Sequence, residues 1–162
     1  MARALLVGCG CHGRELGRAL RADGWAVRGT TRRPDGVAAI EAAGIEPAIA
    51  DPDRVGTILE HVADVAVVAW LLGSAAGTAA EIEAVNRLRL ESLLARLVDT
   101  PVRGFVFEAA GTANPDVLEA GAALVEQAAR TWMIPVRVVR SERDAGGAWT
   151  AAMAVAAGAV LG

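Results

Sequence analysis

The chain has neither lysine nor tyrosine, so all 16 of its basic side chains are arginine. Without lysine there is no amine for Schiff-base or pyridoxal chemistry and no P-loop lysine for a nucleotide kinase; without tyrosine there is no phenol to donate a proton. The arginine-only, alanine-rich usage reads as a coding bias toward GC-rich codons. Cysteine is nearly absent too: Cys9 and Cys11 are one residue apart in a glycine-rich turn, which is no framework for a disulfide-stapled domain. A reducing, cytoplasmic setting is expected.

A formal charge of -3 supplies no broad basic field, so nucleic acid is not an expected partner, although a local arginine cluster can still hold one phosphate. The N-terminus reaches glycine at Gly8, too early for an export signal. The apolar stretch Ala148 to Gly162 falls short of the roughly 20 residues that span a bilayer, and Trp149, Met153 and Val160 recur at helical spacing, so a docked helix and no membrane span is expected. The length of 162 residues suits a single domain over 1–162.

Short apolar runs alternate with amphipathic segments along the whole chain, the pattern of a parallel sheet with crossover helices on both faces. Strands are expected at Ala4 to Val7, Trp25 to Thr30, Ile45 to Ile49, Val65 to Leu71, Gly104 to Phe107 and Val136 to Arg140. Helices are expected at Arg14 to Ala22, Pro34 to Ala43, after an Asp51 N-cap with Pro52 at the first helical position, from about Ala80 to Val98, at Pro115 to Thr131, and at the end of the chain. This is α/β, a doubly wound parallel sheet with strand order 3-2-1-4-5-6. The helix after the loop Gly73 to Thr78 carries more apolar residues than one face needs. Leu90 and Leu94 either meet another subunit, giving a homodimer, or belong to a deeply buried helix.

The chemistry concentrates at Gly8-x-Gly10-x-x-Gly13, which follows a strand and opens a helix. Gly8 permits the tight turn, Gly10 lets the backbone approach a pyrophosphate, and Gly13 lets helix and strand pack closely. The free amides around Cys11, His12 and Gly13 then face the phosphates at the positive end of the helix dipole. At the end of the second strand an acid would select NAD and an arginine NADP. Here Arg28-Gly29-Thr30-Thr31-Arg32-Arg33 has no acid before Asp35, which favours NADP over NAD, and the missing acid also speaks against S-adenosylmethionine. Cys9-x-Cys11-His12 invites a metal reading, but only His61 remains as a further histidine and the ligands would occupy the phosphate loop. No metal site is expected, and Cys11 is the better candidate for a redox thiol.

With this loop, the Thr30-Thr31-Arg32 strand end and the Asp51-Pro52-Asp53 turn, the chain resembles the NAD(P)-binding Rossmann core of extended and atypical short-chain dehydrogenases, including epimerase-like and NmrA-like proteins. The resemblance implies that Gly8, Gly10, Cys11, His12 and Gly13 lie at the diphosphate and that Thr30, Thr31 and Arg32 lie toward the 2′-phosphate. It also implies Asp51 and Pro52 near the adenine, and Ala69, Trp70 and Leu71 along the ribose side. The family's tyrosine and lysine pair cannot exist in this chain, and only Thr112 offers a hydroxyl where its serine would fall. No catalytic residue is therefore assigned.

Three functions follow as expectations. The first is an NADP(H)-binding protein of short-chain dehydrogenase or epimerase ancestry, serving without catalysis as a cofactor-responsive binding or regulatory module. The second is an atypical oxidoreductase or epimerase that uses Glu108 or water on a small-molecule ligand enclosed by the Gly73 to Thr78 loop. The third is a dimeric scaffold that has lost its nicotinamide dinucleotide. For Glu108 the duller alternative is a strand-end carboxylate bonded to neighbouring backbone amides.

Overall fold

The computed structural model describes residues 1–162. Six parallel strands form one sheet: β1 (Arg3–Val7), β2 (Ala26–Thr31), β3 (Glu46–Ile49), β4 (Val67–Trp70), β5 (Gly104–Glu108) and β6 (Val136–Val139). Their spatial order is β3-β2-β1-β4-β5-β6, the expected doubly wound order. The order reverses between β1 and β4, and that crevice, at the carboxyl ends of the strands, is where such sheets bind ligands. β3 lies at an edge, where Pro47 can sit without depriving a neighbour of a backbone donor.

Alternation along the strands builds two cores. Leu5, Val7, Val68, Trp70, Phe105 and Phe107 pack on one face, and Ala4, Leu6, Val67, Ala69 and Val106 on the other. The second face is covered by α1 (Cys11–Ala22), α2 (Val37–Ala42) and α7 (Ala148–Ala159); the first by α3 (Val55–Leu59), α4 (Ala79–Asn86), α5 (Leu88–Leu97) and α6 (Pro115–Trp132). Trp149, Met153 and Val160 are buried at the spacing expected of a docked final helix. No helix is long and apolar enough to cross a membrane.

Local chemistry sets the helix starts. Thr78 and Glu81 form a reciprocal capping box on α4, Asn114 Oδ1 accepts from the Asp116 amide ahead of α6, and Asp144 accepts from the Ala148 and Trp149 amides at the start of α7. Arg28 is held in ion pairs. Its guanidinium donates to Asp64, Glu46 and the His61 carbonyl, tying β2 to β3 and to the turn before β4.

Two expectations are corrected and one open alternative is decided. The helix read from Ala80 to Val98 is two helices, broken at Arg87, whose backbone (φ -135°, ψ -87°) is not helical. The turn redirects the chain so that Leu90, Leu93, Leu94 and Leu97 all enter one core. Leu90 and Leu94, 0% and 2% exposed, are thus unavailable to a second subunit, and the homodimer and scaffold expectations lose the residues they rested on. Finally, Asp51 does not cap a helix beginning at Pro52: its Oδ1 accepts from the Asp53 amide in a turn, and α3 starts only at Val55.

Candidate nucleotide cleft

Gly8 has φ +92°, and a Cβ there would lie 2.7 Å from the Leu71 carbonyl oxygen, so the turn leaving β1 requires glycine. Thr30 fixes that turn from β2: its hydroxyl accepts from the Gly8 amide at 3.1 Å, and its carbonyl accepts from the Cys9 amide at 3.1 Å. A Cβ on Gly13 would come within 3.1 Å of the Gly8 carbonyl, which is the close helix–strand packing expected of the third glycine. Gly10 is different. A Cβ there would meet nothing within 4 Å and would project into open space beside the cleft.

The cleft itself has a volume of about 390 Å³, within the usual range for small-molecule sites. Gly8, Cys9 and Gly10 contribute from the β1–α1 turn and Arg14 from α1; Thr30 and Thr31 from the end of β2, with Arg32 and Gly36 just beyond it; and Asp51, Pro52 and Asp53 from the turn after β3. Across from them stand Leu71, Leu72, Ser74, Ala75 and Ala76, with Glu81, Ile82 and Val85 of α4. At α1 the helix has no side-chain cap and no acidic residue in its first turn, so its leading amides remain free for an anion.

Of the six charged side chains lining the cleft, Asp53 and Arg143 are in ion pairs and Glu81 is held in its capping box. Asp53 accepts from Arg89 at 3.0 Å, and the Thr78 backbone and hydroxyl bonds of the capping box hold the Glu81 carboxyl below its ordinary range. Arg14 and Arg32 make no ion pair, which leaves two guanidiniums able to take a phosphate. Thr31 is engaged locally, donating from Oγ1 to the Arg33 carbonyl at 3.1 Å.

Of the residues expected at the cofactor, Gly8, Gly10, Thr30, Thr31, Arg32, Asp51, Pro52 and Leu71 line this one cleft. Gly13 acts behind it through packing. Ala69 and Trp70 are corrections: they are 3% and 0% exposed, and Trp70 Nε1 donates to the Val85 carbonyl at 3.2 Å inside the core. At β4 both faces of the sheet are covered, so only the strand end, Leu71 onward, reaches the cleft. The side chains of Cys11 and His12 also stand outside the lining, and only their backbone amides remain relevant to it. In its Nε2-protonated tautomer His12 donates to the Asp144 carbonyl at 3.3 Å, and its ring lies edge-on to Trp149. Cys9, not Cys11, lines the cleft, and burial pushes its thiol up to about 11.

The residue that sequence reasoning missed is Arg143, in the loop after β6. Its Nε and Nη2 donate to the two carboxylate oxygens of Glu108 at 2.9 and 3.0 Å, and Nη2 also reaches the Leu71 carbonyl at 3.2 Å. Glu108 Oε1 additionally accepts from the Gly73 amide at 2.9 Å. Glu108 is 1% exposed, and a buried carboxylate at a strand end requires a cation; the arginines following the neighbouring strand were the signal for it.

The fold defined here, a doubly wound parallel sheet with a glycine turn at its switch point, is that of Rossmann-type domains. No protein-family model matches the chain, and no curated protein matches it. Solved structures share the fold. A short-chain dehydrogenase/reductase superfamily protein from Agrobacterium tumefaciens with bound NAD superposes with a TM-score of 0.70 at 23% identity, over 85% of this chain and 48% of that one. UDP-glucuronic acid 4-epimerase from Bacillus cereus in complex with NAD gives 0.67 at 15% identity, over 86% and 55%. A putative epimerase from Burkholderia cenocepacia gives 0.64 at 23% identity, over 88% and 54%. The chain thus spans about half the length of the structures it matches.

Proposed function

We propose that the chain is an NADP(H)-binding module of short-chain dehydrogenase and epimerase ancestry, 1–162 forming the binding domain, and that it transfers no hydride itself. The observation that carries this reading is the unpaired Arg32 beside Thr31 at the end of β2, at the edge of a cleft that begins at Gly8 and Gly10. Two fold neighbours carry NAD, which supports a nicotinamide dinucleotide as ligand class. In this chain the strand end lacks the acid that would grip an unphosphorylated ribose, and Arg32 offers a fork for a 2′-phosphate. The uncapped start of α1 supports a diphosphate there, and Asp51 and Pro52, which line the same cleft, are assigned to the adenine.

Catalysis is not part of the proposal because the usual proton donor is missing from the composition and its substitute is occupied. Both oxygens of Glu108 are engaged by Arg143, and one also by the Gly73 amide, so neither is presented to a substrate. The test is calorimetric titration with NADPH, NADP, NADH and NAD, followed by an assay for reduction or oxidation of carbonyl substrates. The phosphorylated pair is expected to bind at least about tenfold more tightly than the other two, a difference of about 1.4 kcal/mol. Equal affinities would overturn the NADP assignment, binding of none of the four would overturn the whole reading, and turnover at an ordinary enzymatic rate would overturn its non-catalytic part.

A further inference from the structure

In a doubly wound sheet each half, β1-β2-β3 and β4-β5-β6, takes one nucleoside of a dinucleotide, and the diphosphate bridges them at the switch point. The halves of this molecule are not equivalent. The first half is open, and the end of β2 and the turns after all three of its strands line the cleft, with the segment after β4 and helix α4 as the opposite wall. In the second half the loops after β4 and β5 are closed against each other. The Ala113 amide donates to the Gly73 carbonyl at 3.0 Å, the Thr112 amide to Ser74 Oγ at 3.2 Å, and the Gly73 amide to Glu108 Oε1 at 2.9 Å. The backbones meet so closely that a Cβ on Gly73 or on Gly111 would overlap the opposite loop. Over this seam lies Arg143, paired through both nitrogens to Glu108 and bonded to the Leu71 carbonyl, with its guanidinium carbon 5.2 Å from the Trp149 ring centre. Arg143 is the only residue from β5, β6 or their following loops that reaches the cleft.

Given the nucleotide site proposed above, on which this inference rests, we infer that the cleft takes only the adenosine half of its ligand, a 2′-phosphorylated adenosine 5′-phosphate, and that Arg143 with Glu108 ends the site before a nicotinamide ring can enter. The ring of a bound dinucleotide stays in water. The protein then senses how much phosphorylated dinucleotide is present and not whether it is oxidised or reduced, since the two forms differ only at the excluded ring.

The experiment is calorimetry on the full chain with adenosine 2′,5′-bisphosphate, NADP, NADPH and nicotinamide mononucleotide. The bisphosphate is expected to bind within about threefold of NADP, NADP and NADPH within about twofold of each other, and the mononucleotide not at all. A preference above about tenfold for NADP or NADPH over the bisphosphate, or for one redox form over the other, would overturn the inference and leave the nucleotide site standing. Failure of all the adenosine ligands to bind would overturn both. A second readout is NADPH fluorescence: emission of the bound form is expected to match that of the free form, and an enhanced, blue-shifted emission would mean a sheltered ring and sink the idea.

Discussion

Arg143 holds Glu108 through two parallel hydrogen bonds of 2.9 and 3.0 Å across the carboxyl ends of β5 and β6, with the carboxylate wholly buried and the guanidinium one-fifth exposed. Such a pair is costly to break from one side and cheap to remove entirely. Arg143→Ala strands a buried charge and is expected to lower stability by about 3 kcal/mol, whereas replacing both residues with apolar ones, Glu108→Leu with Arg143→Met, is expected to restore most of it. Urea denaturation of the single and double variants checks this; equal losses in both would mean the pair is not coupled.

Arg32→Ala is expected to weaken NADP binding by about tenfold to a hundredfold, the worth of one or two charge-assisted bonds to phosphate, with NAD binding and stability unchanged. Arg32 is exposed and makes no ion pair, and it acts on its surroundings only as a nearby charge lowering Glu81, so its removal leaves the packing of the fold intact. A parallel loss for NAD and NADP would place the arginine away from the 2′-phosphate.

Gly8 and Gly10 are expected to separate folding from binding. Gly8→Ala forces a side chain into a left-handed backbone and against the Leu71 carbonyl, and is expected to cost about 3 kcal/mol in thermal or urea unfolding. At Gly10 the backbone is extended (φ -82°, ψ -157°) and a Cβ meets open space, so Gly10→Ala is expected to change stability by no more than about 1 kcal/mol. In the proposed complex the diphosphate passes this turn at the cleft wall, so ligand binding is expected to be lost. Full affinity in Gly10→Ala would remove the diphosphate from this turn.

Because the chain has neither lysine nor tyrosine, its thiols are the only side chains that ordinarily titrate between pH 9 and 11. Burial raises the Cys9 thiol from 9.0 to about 11. A raised folded pKa means that the native state keeps its proton while the unfolded chain loses one. Stability is therefore full below pH 9 and falls as pH rises toward 11, by about 2 to 3 kcal/mol in all. Unfolding measured from pH 8 to 11 is expected to show this slope in the wild type and to lose it in Cys9→Ala. At neutral pH only the exposed Cys11 is expected to react promptly with a thiol reagent.

Much of the fold was legible because its signals are local. Continuous apolar runs marked the strands, Gly8, Gly10 and Gly13 marked the first turn, and Arg32 marked the end of β2 that lines the cleft. The errors have one physical origin. Periodicity tells which side chains avoid water but not which neighbour covers them. It therefore could not reveal that Arg87 breaks a helix or that Trp70 faces inward at the covered centre of the sheet, nor decide whether Leu90 and Leu94 meet a subunit or the core.

The sequence by itself determined the doubly wound order, the glycine turn at its switch point, the arginine at the end of β2 and the absence of a tyrosine proton donor, since each follows from residue type and nearest neighbours along the chain. Only the tertiary structure decided how Glu108 is occupied. The guanidinium that neutralises it comes from Arg143, 35 residues further on, beyond α6 and β6. A buried carboxylate demands a cation, but which cation reaches it depends on how the loops after β4, β5 and β6 converge in space, and that convergence is what places Arg143 at the edge of the cleft.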